Sequence, residues 1–276
     1  MNMHKVWLVF RKDWLEVKRN WQVLLPIIIV PLVFAVLFPS IIVLISGTPQ
    51  LPGANQDVEG FESLIINLPS NIQAQLTQMS SQQILIYIMT LYFFAPMFLI
   101  IPVMASSVMG SDSFAGERER KTIEALLATP ISDSELLLGK ILVSFIPAML
   151  ITFASFAVYT IIVDATTFSL FNGMLLLPNI TWLITIFGVA PAIALCSIGL
   201  TVIISSKVKG FKEAQQISVI LILPIIGLVF AQISGIMILG PLILSLLIAV
   251  FAIVDTTIFY IGLKMFQREE ILSKPV

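Results

Sequence analysis

Few side chains in this sequence have types and spacings suited to chemistry, and the spacings exclude most of what they might do. Gly116 precedes Lys121 and Thr122 in the manner of a P-loop, but GxxxxGK[ST] requires a second glycine directly before the lysine, where Arg120 stands. Glu117 and Glu119 would also repel phosphates, and no strand-forming run precedes them. Nucleotide is therefore not expected to bind here, and any ATP must be hydrolysed by another chain. The single histidine, His4, lies in an amphipathic N-terminal stretch, so neither an HExxH zinc site nor a Ser-His dyad can be assembled. The single cysteine, Cys196, lies in an apolar run, which excludes an intrachain disulfide and a cysteine-rich metal site. An aspartyl pair of Asp164 and Asp255 would sit at different depths. Asp255 is then the one ionisable group well inside an apolar segment, and an acid in such a place is suspected of function. Lys264 follows it by roughly 13 Å of helix, which puts Asp255 near the middle of a bilayer. Two readings stand: an acid hydrogen-bonded through Thr256 and Thr257, or a proton or cation site in an ion-coupled secondary transporter.

The elements that carry these residues are set by composition. Of 276 residues, 58% are hydrophobic and 11% charged, with a mean hydropathy of +1.03. Soluble domains are about 45–50% apolar and about 25% charged, so lipid is the main solvent here. A hydrocarbon core about 30 Å thick needs roughly 20 apolar residues of helix. Six segments qualify: 22–46, 83–111, 141–163, 178–205, 215–238 and 241–263. The last two form one run that, as a single helix, would be about 75 Å long. It must fold back near Gly235 or at Gly240-Pro241. Prolines 26, 31, 39, 96, 102, 147, 191 and 224 fall inside the spans, where neighbouring helices can satisfy the freed carbonyls. The expected fold is all-α: a polytopic membrane protein with six transmembrane helices, an N-terminal interfacial helix and a cytoplasmic helix between the second and third spans, in one transmembrane domain over 1–276.

Charge gives the orientation. All 15 lysines and arginines fall in the first 20 residues, in 112–140, in 206–213 or from Lys264 onward. The opposite segments, 47–82, 164–177 and the hairpin near 240, hold none, and they carry Asp57, Glu59, Glu62 and Asp164. The positive-inside rule then puts both termini in the cytoplasm. Within 1–21, Trp7, Phe10, Trp14, Val17 and Trp21 share one helical stripe, with Lys5, Lys12, Glu16 and Arg19 opposite. This is a helix lying in the interface, either a surface anchor or a mechanical elbow into the first span. The outer loop 47–82 reads as a small cap, with Ser70 capping a helix whose Ile72, Leu76 and Met79 share a face. It either packs on the bundle or touches substrate. Asn179-Ile180-Thr181 forms a glycosylation sequon but abuts the membrane.

The inner loop, 112–140, is the most informative segment. Glu117 to Thr129 reads as a short helix with Ile123, Leu126 and Leu127 on one face, ended by Pro130. Ser132 and Glu135 form a capping-box pattern that starts the next helix straight into the third span. A helix lying on an anionic leaflet should be basic. Acids outnumber bases from Asp112 to Lys140, which favours docking to a protein.

The string SFAGERERKTIEALLATPISDSELLLGK between the second and third spans resembles the cytoplasmic segment of ABC-2 type transporter permeases. The amphipathic first helix, large first outer loop, near-continuous last two spans and closing KMFQREEIL are similar as well, so the resemblance covers nearly the whole chain. It implies a membrane-spanning exporter subunit that pairs with a second permease subunit, identical or related, and with two ABC ATPase subunits. ATP and Mg would belong to those ATPases, and this chain would hold no cofactor. The resemblance makes 1–276 a single permease domain and Glu117 to Thr129 its cytoplasmic coupling helix, and the coupling residues carried over are Glu117, Arg118, Glu119, Arg120, Ile123, Glu124, Leu126 and Leu127. The implied setting is a bacterial or archaeal plasma membrane, with lipid around the spans and no nucleic-acid partner. Spans poor in amides and acids suit a hydrophobic or amphiphilic cargo. An ion-coupled carrier using Asp255 and a non-transporting membrane scaffold are the alternatives. Gly188, Ala192 and Cys196 repeat at four-residue spacing and give the fourth span a small-residue face for close helix packing, within the chain or across a dimer.

Overall fold

The computed structural model describes residues 2–46, 62–68, 70–120, 122, 129–208 and 210–265. An N-terminal helix, α1 (Met3–Val17), precedes the first span, α2 (Trp21–Ile42). Two short helices, α3 (Glu62–Asn67) and α4 (Ser70–Leu76), lead to α5 (Ser81–Glu119), α6 (Asp133–Thr167), α7 (Ile180–Ser205), α8 (Phe211–Ile233) and α9 (Pro241–Met265). Six of these are long and apolar enough to cross a membrane. The protein is thus an all-α, polytopic integral membrane protein, with α5, α6 and α7 central and α2, α8 and α9 turned mostly outward.

Local chemistry sets the helix starts. Asn20 accepts from the Gln22 N–H, and Asn179 accepts from the Trp182 N–H, so the sequon asparagine serves as a helix cap. Ser80 with Gln83 and Ser132 with Glu135 both form complete capping boxes, the second as the sequence predicts. The expected fold-back is present: α8 ends at Ile233, Gly235 adopts φ +72, and Pro241 opens α9. On the same side of the bundle α3 and α4 are tied by Gln73, whose amide donates to the Ile66 and Leu68 carbonyls. Leu68 and Leu76 pack there with Ile88, and Ser70 is a helical residue rather than a cap.

Among the described residues, four wide π turns interrupt the spans, at Val33–Leu37, Met89–Phe93, Asp112–Gly116 and Thr185–Val189. The second governs the core. Pro96 has no N–H to return to the Tyr92 carbonyl, and the wide turn loosens the carbonyls before it. Thr90 O accepts from the Tyr159 hydroxyl at 2.8 Å, Leu91 O from Trp182 Nε1 at 3.2 Å, and Tyr92 O from Gln232 Nε2 at 2.9 Å. Three consecutive carbonyls of α5 are therefore held by α6, α7 and α8. The donors sit in an aromatic core in which Trp182 stacks on Tyr159 and Phe156 and meets Phe98 edge-on.

One span departs from expectation: the second continues to Glu119, well past the apolar run that signalled it, whereas the third begins at Asp133 as the capping box predicts. Charged side chains satisfied by partners inside the protein allow the second to go on. Helix α1 also differs: it buries Val6, Val9, Asp13 and Val17, while Trp7 and Trp21 stay exposed and Trp14 is half-buried. A third face lies between the tryptophan stripe and the charges, and Val9 on it meets α6 at Gly139, where a Cβ would come within 2.8 Å.

Candidate coupling site at the basic end of the bundle

The lysine- and arginine-rich end of the bundle gathers α1, the end of α5, the start of α6 and the α7–α8 turn. Its centre is Lys140, fully buried about two turns into α6. A bare ammonium there would cost several kcal/mol, so it must be paired. Its Nζ donates to Glu117 Oε2 at 2.5 Å, to Asp13 Oδ2 at 3.3 Å and to the carbonyl and hydroxyl of Ser113, and it lies 5.4 Å from the Phe114 ring centre. Asp13 also accepts from the Ser113 hydroxyl at 2.6 Å. Burial works against the Asp13 carboxylate, but Lys140, Lys12 and Ser113 outweigh it and hold its pKa below the usual carboxylate range.

A second cation completes the cluster. Asp13, Glu16 and Glu117 bring three carboxylate oxygens within 4.8 Å of one another, a spacing compatible with metal ligation. The Lys12 ammonium contacts all three, so the protein supplies the cation itself. Burial lowers the Lys12 pKa, yet Asp13, Glu117 and Glu16 together raise it above the ordinary lysine value. At the edge, Arg120 donates to Asp112 at 3.0 Å and Glu16 at 3.3 Å, while Asn20 donates to Asp112 at 3.1 Å. Burial disfavours the Arg120 charge, and Asp112 and then Glu16 overcome this and raise its pKa.

The four charged residues Glu117–Arg120 thus each engage a different neighbour. Glu117 joins α6 and α1. The Arg118 guanidinium donates to the Ser206 carbonyl at 3.1 Å and lies 3.5 Å from that of Ser205, at the C-terminal end of α7. Glu119 accepts from the Phe211 N–H at 2.9 Å, at the N-terminal end of α8. Each charge has the sign that the helix dipole favours at its position. Gly210 permits the second contact, since a Cβ there would lie 2.7 Å from Glu119 Oε2. Arg120 returns to α1 through Glu16.

A family profile described as "ABC-2 family transporter protein" matches residues 7–245. The chain belongs to the ABC-2 transporter family. Among curated proteins no relative matches it. As an ABC-2 transporter chain it is a membrane-spanning transport component, and it is not itself an ATPase.

Among the residues carried over by resemblance, Glu117, Arg118, Glu119 and Arg120 come together as this hub, with their side chains turned to their own spans. The helix that holds them is the continuation of α5 and ends at Glu119, because burying Glu117 against Lys140 and Lys12 extends the span helix past its apolar run. Ile123, Glu124, Leu126 and Leu127 lie outside the described residues. Lys140, Asp13 and Lys12 carry the hub but were not singled out by sequence reasoning. A basic residue at the start of a span, with Asp133 and Glu135 shortly before it in the chain, is the signal that was available.

The other residues singled out by sequence lie in the membrane region. Gly188 packs on Ile248 of α9, where a Cβ would approach within 2.5 Å, and Gly199 packs on Ile258 within 2.4 Å. Ala192 is half-buried and Cys196 buried on the same helix. The Thr256 and Thr257 hydroxyls donate to Ala252 O and Ile253 O of their own helix. Asp255 instead lies beside Cys196 of α7, which brings together two residues that the sequence singled out separately.

Proposed function

We propose that this chain is the permease subunit of an ATP-driven exporter, paired with a second permease subunit and with separate ABC ATPases that bind the segment following Glu117. The observation that carries the reading is the Glu117–Arg120 hub. A segment pushed or pulled by an ATPase would displace one short helix end that is bonded at once to α1, to the start of α6, to the end of α7 and to the start of α8. Four elements of the bundle would then move together, as alternating exposure of a pathway requires. In this reading the basic end and both termini face the cytoplasm, α1 is the elbow, and Ile123, Leu126 and Leu127 present the docking face.

The test is co-purification in mild detergent followed by mutation of the docking face. ATPase subunits should come down with the parent, and Leu126→Glu/Leu127→Glu should lose transport and ATPase stimulation while all six spans insert. Unchanged transport and stimulation in the double variant would overturn the assignment.

The Asp255–Cys196 contact supports one competing reading, an ion-coupled carrier. In sealed vesicles with ATP supplied and ion gradients collapsed, export that persists, and persists in Asp255→Asn, supports the ATP-driven reading. Dependence on the gradient together with a dead Asp255→Asn variant would support the carrier.

A further inference from the structure

We infer that the outward face of α1 and the turn after it form a docking surface for anionic phospholipid headgroups. The helix has four faces with distinct chemistry. Val6, Val9, Asp13 and Val17 point into the bundle. Lys5, Lys12 and Glu16 turn to one side, where Lys5 donates to the Pro130 carbonyl and the other two join the ion cluster. On the other side Trp14 packs with Val17, Val23 and Ile27 at the foot of α2, which marks the edge nearest the membrane.

The fourth face, opposite the bundle, carries Trp7, Leu8, Arg11, Leu15 and Lys18, all exposed, and Arg19 and Trp21 extend it. It holds no acid, because both acids of the helix, Asp13 and Glu16, are engaged in the cluster. Arg11, Lys18 and Arg19 make no ion pair among the described residues, and the Lys18 ammonium rests 5.0 Å over the Trp14 ring. Cations without acids, interleaved with tryptophan and leucine on a helix flanking a span, complement a negatively charged headgroup layer. A protein partner would leave Trp7, Leu8, Leu15 and Trp21 to be covered by a matching apolar surface. The interface of a bilayer covers them without one.

The same helix reaches the hub through Asp13 and Lys12. Lipid charge at Arg11, Lys18 and Arg19 therefore acts on an element bonded to Glu117.

Lipid retention can be measured without any ATPase, which keeps this inference separable from the proposed function. The full chain is purified in mild detergent, offered mixtures of phosphatidylglycerol and phosphatidylcholine, and read by native mass spectrometry. The parent should retain phosphatidylglycerol preferentially. Arg11→Glu/Lys18→Glu/Arg19→Glu should retain about tenfold less or below, and Arg11→Lys/Arg19→Lys should behave as the parent. Lys207→Glu/Lys212→Glu, which reverses two exposed lysines elsewhere at this end, should leave retention unchanged. If the triple reversal fails to fold, Arg11→Gln/Lys18→Gln/Arg19→Gln carries the same expectation. Equal retention of the two lipids by the parent overturns the inference, as does retention unaltered in a folded triple variant. Loss of ATPase association with lipid retention intact would assign the face to a protein instead.

Discussion

Replacing Lys140 with methionine removes the central cation of the hub while roughly keeping its volume. Four acceptors lose a donor: Glu117 Oε2, Asp13 Oδ2, and the carbonyl and hydroxyl oxygens of Ser113. Taking one partner from a buried ion pair costs about 3–5 kcal/mol, because the remaining charge stays desolvated. Asp13 keeps the Ser113 hydroxyl and Glu117 keeps Lys12, so the lower end, about 3 kcal/mol, is expected. For a chain of this size that is a fall of about 6–12 °C in melting temperature, measured in mild detergent. Lys12→Met removes a side chain that is 37% exposed, and solvent screening limits its effect to about 1 kcal/mol or less. The ranking Lys140→Met well below Lys12→Met is therefore as informative as the size. Adding Glu117→Gln to Lys140→Met should cost less than the two single changes summed, since the second removes a charge that the first orphaned. A Lys140→Met protein melting within 2 °C of the parent would refute the reasoning, and strict additivity would show that the two groups are not coupled.

The hub should also be insensitive to pH over a wide range. Asp13 has a lowered pKa, so its contribution is present above the ordinary carboxylate value and is lost as pH falls through the lower folded value; Lys12, with a raised pKa, contributes below the ordinary lysine value and is lost only as pH rises beyond it. The melting difference between parent and Asp13→Asn should accordingly stay flat from about pH 5 to about pH 9 and shrink below about pH 4. Gly210→Ala places a Cβ against Glu119 and should weaken the bond to the Phe211 N–H, costing about 1 kcal/mol and reducing coupled transport; Glu119→Gln, which keeps an acceptor, should be milder. Gly199→Ala should lower the melting temperature by crowding Ile258, with recovery in Gly199→Ala/Ile258→Ala, and failure of the second change to rescue would argue against direct packing of α7 on α9.

The spans were legible because their signal is local: apolar runs of sufficient length, a capping pair at Ser132 and Glu135, and glycine and proline at the fold-back. The hub was not, because its contacts are far apart in sequence. Glu117 meets Lys12, and Arg120 meets Glu16, across more than a hundred residues of chain. Periodicity ranked the faces of α1 by hydrophobicity and put the tryptophans together, but it could not show that Asp13 points inward to a lysine on another helix. For the same reason the charged run after Gly116 read as a new surface helix. An acid run at the end of an apolar span has that reading until a buried partner is known. Cys196 and Asp255 likewise drew notice separately, and only the packing of α7 on α9 brings them together.

The three carbonyls of Thr90, Leu91 and Tyr92 have a consequence for biogenesis. Their donors are encoded in order along the chain: Tyr159 in the third span, Trp182 in the fourth and Gln232 in the fifth. When the second span first enters the bilayer these oxygens lack the three donors, and each later span to arrive supplies one of them. Insertion is thereby given a direction. A nascent chain arrested after its fourth span still has the Tyr92 carbonyl waiting for Gln232, so the central helices are not finished until the fifth has been made.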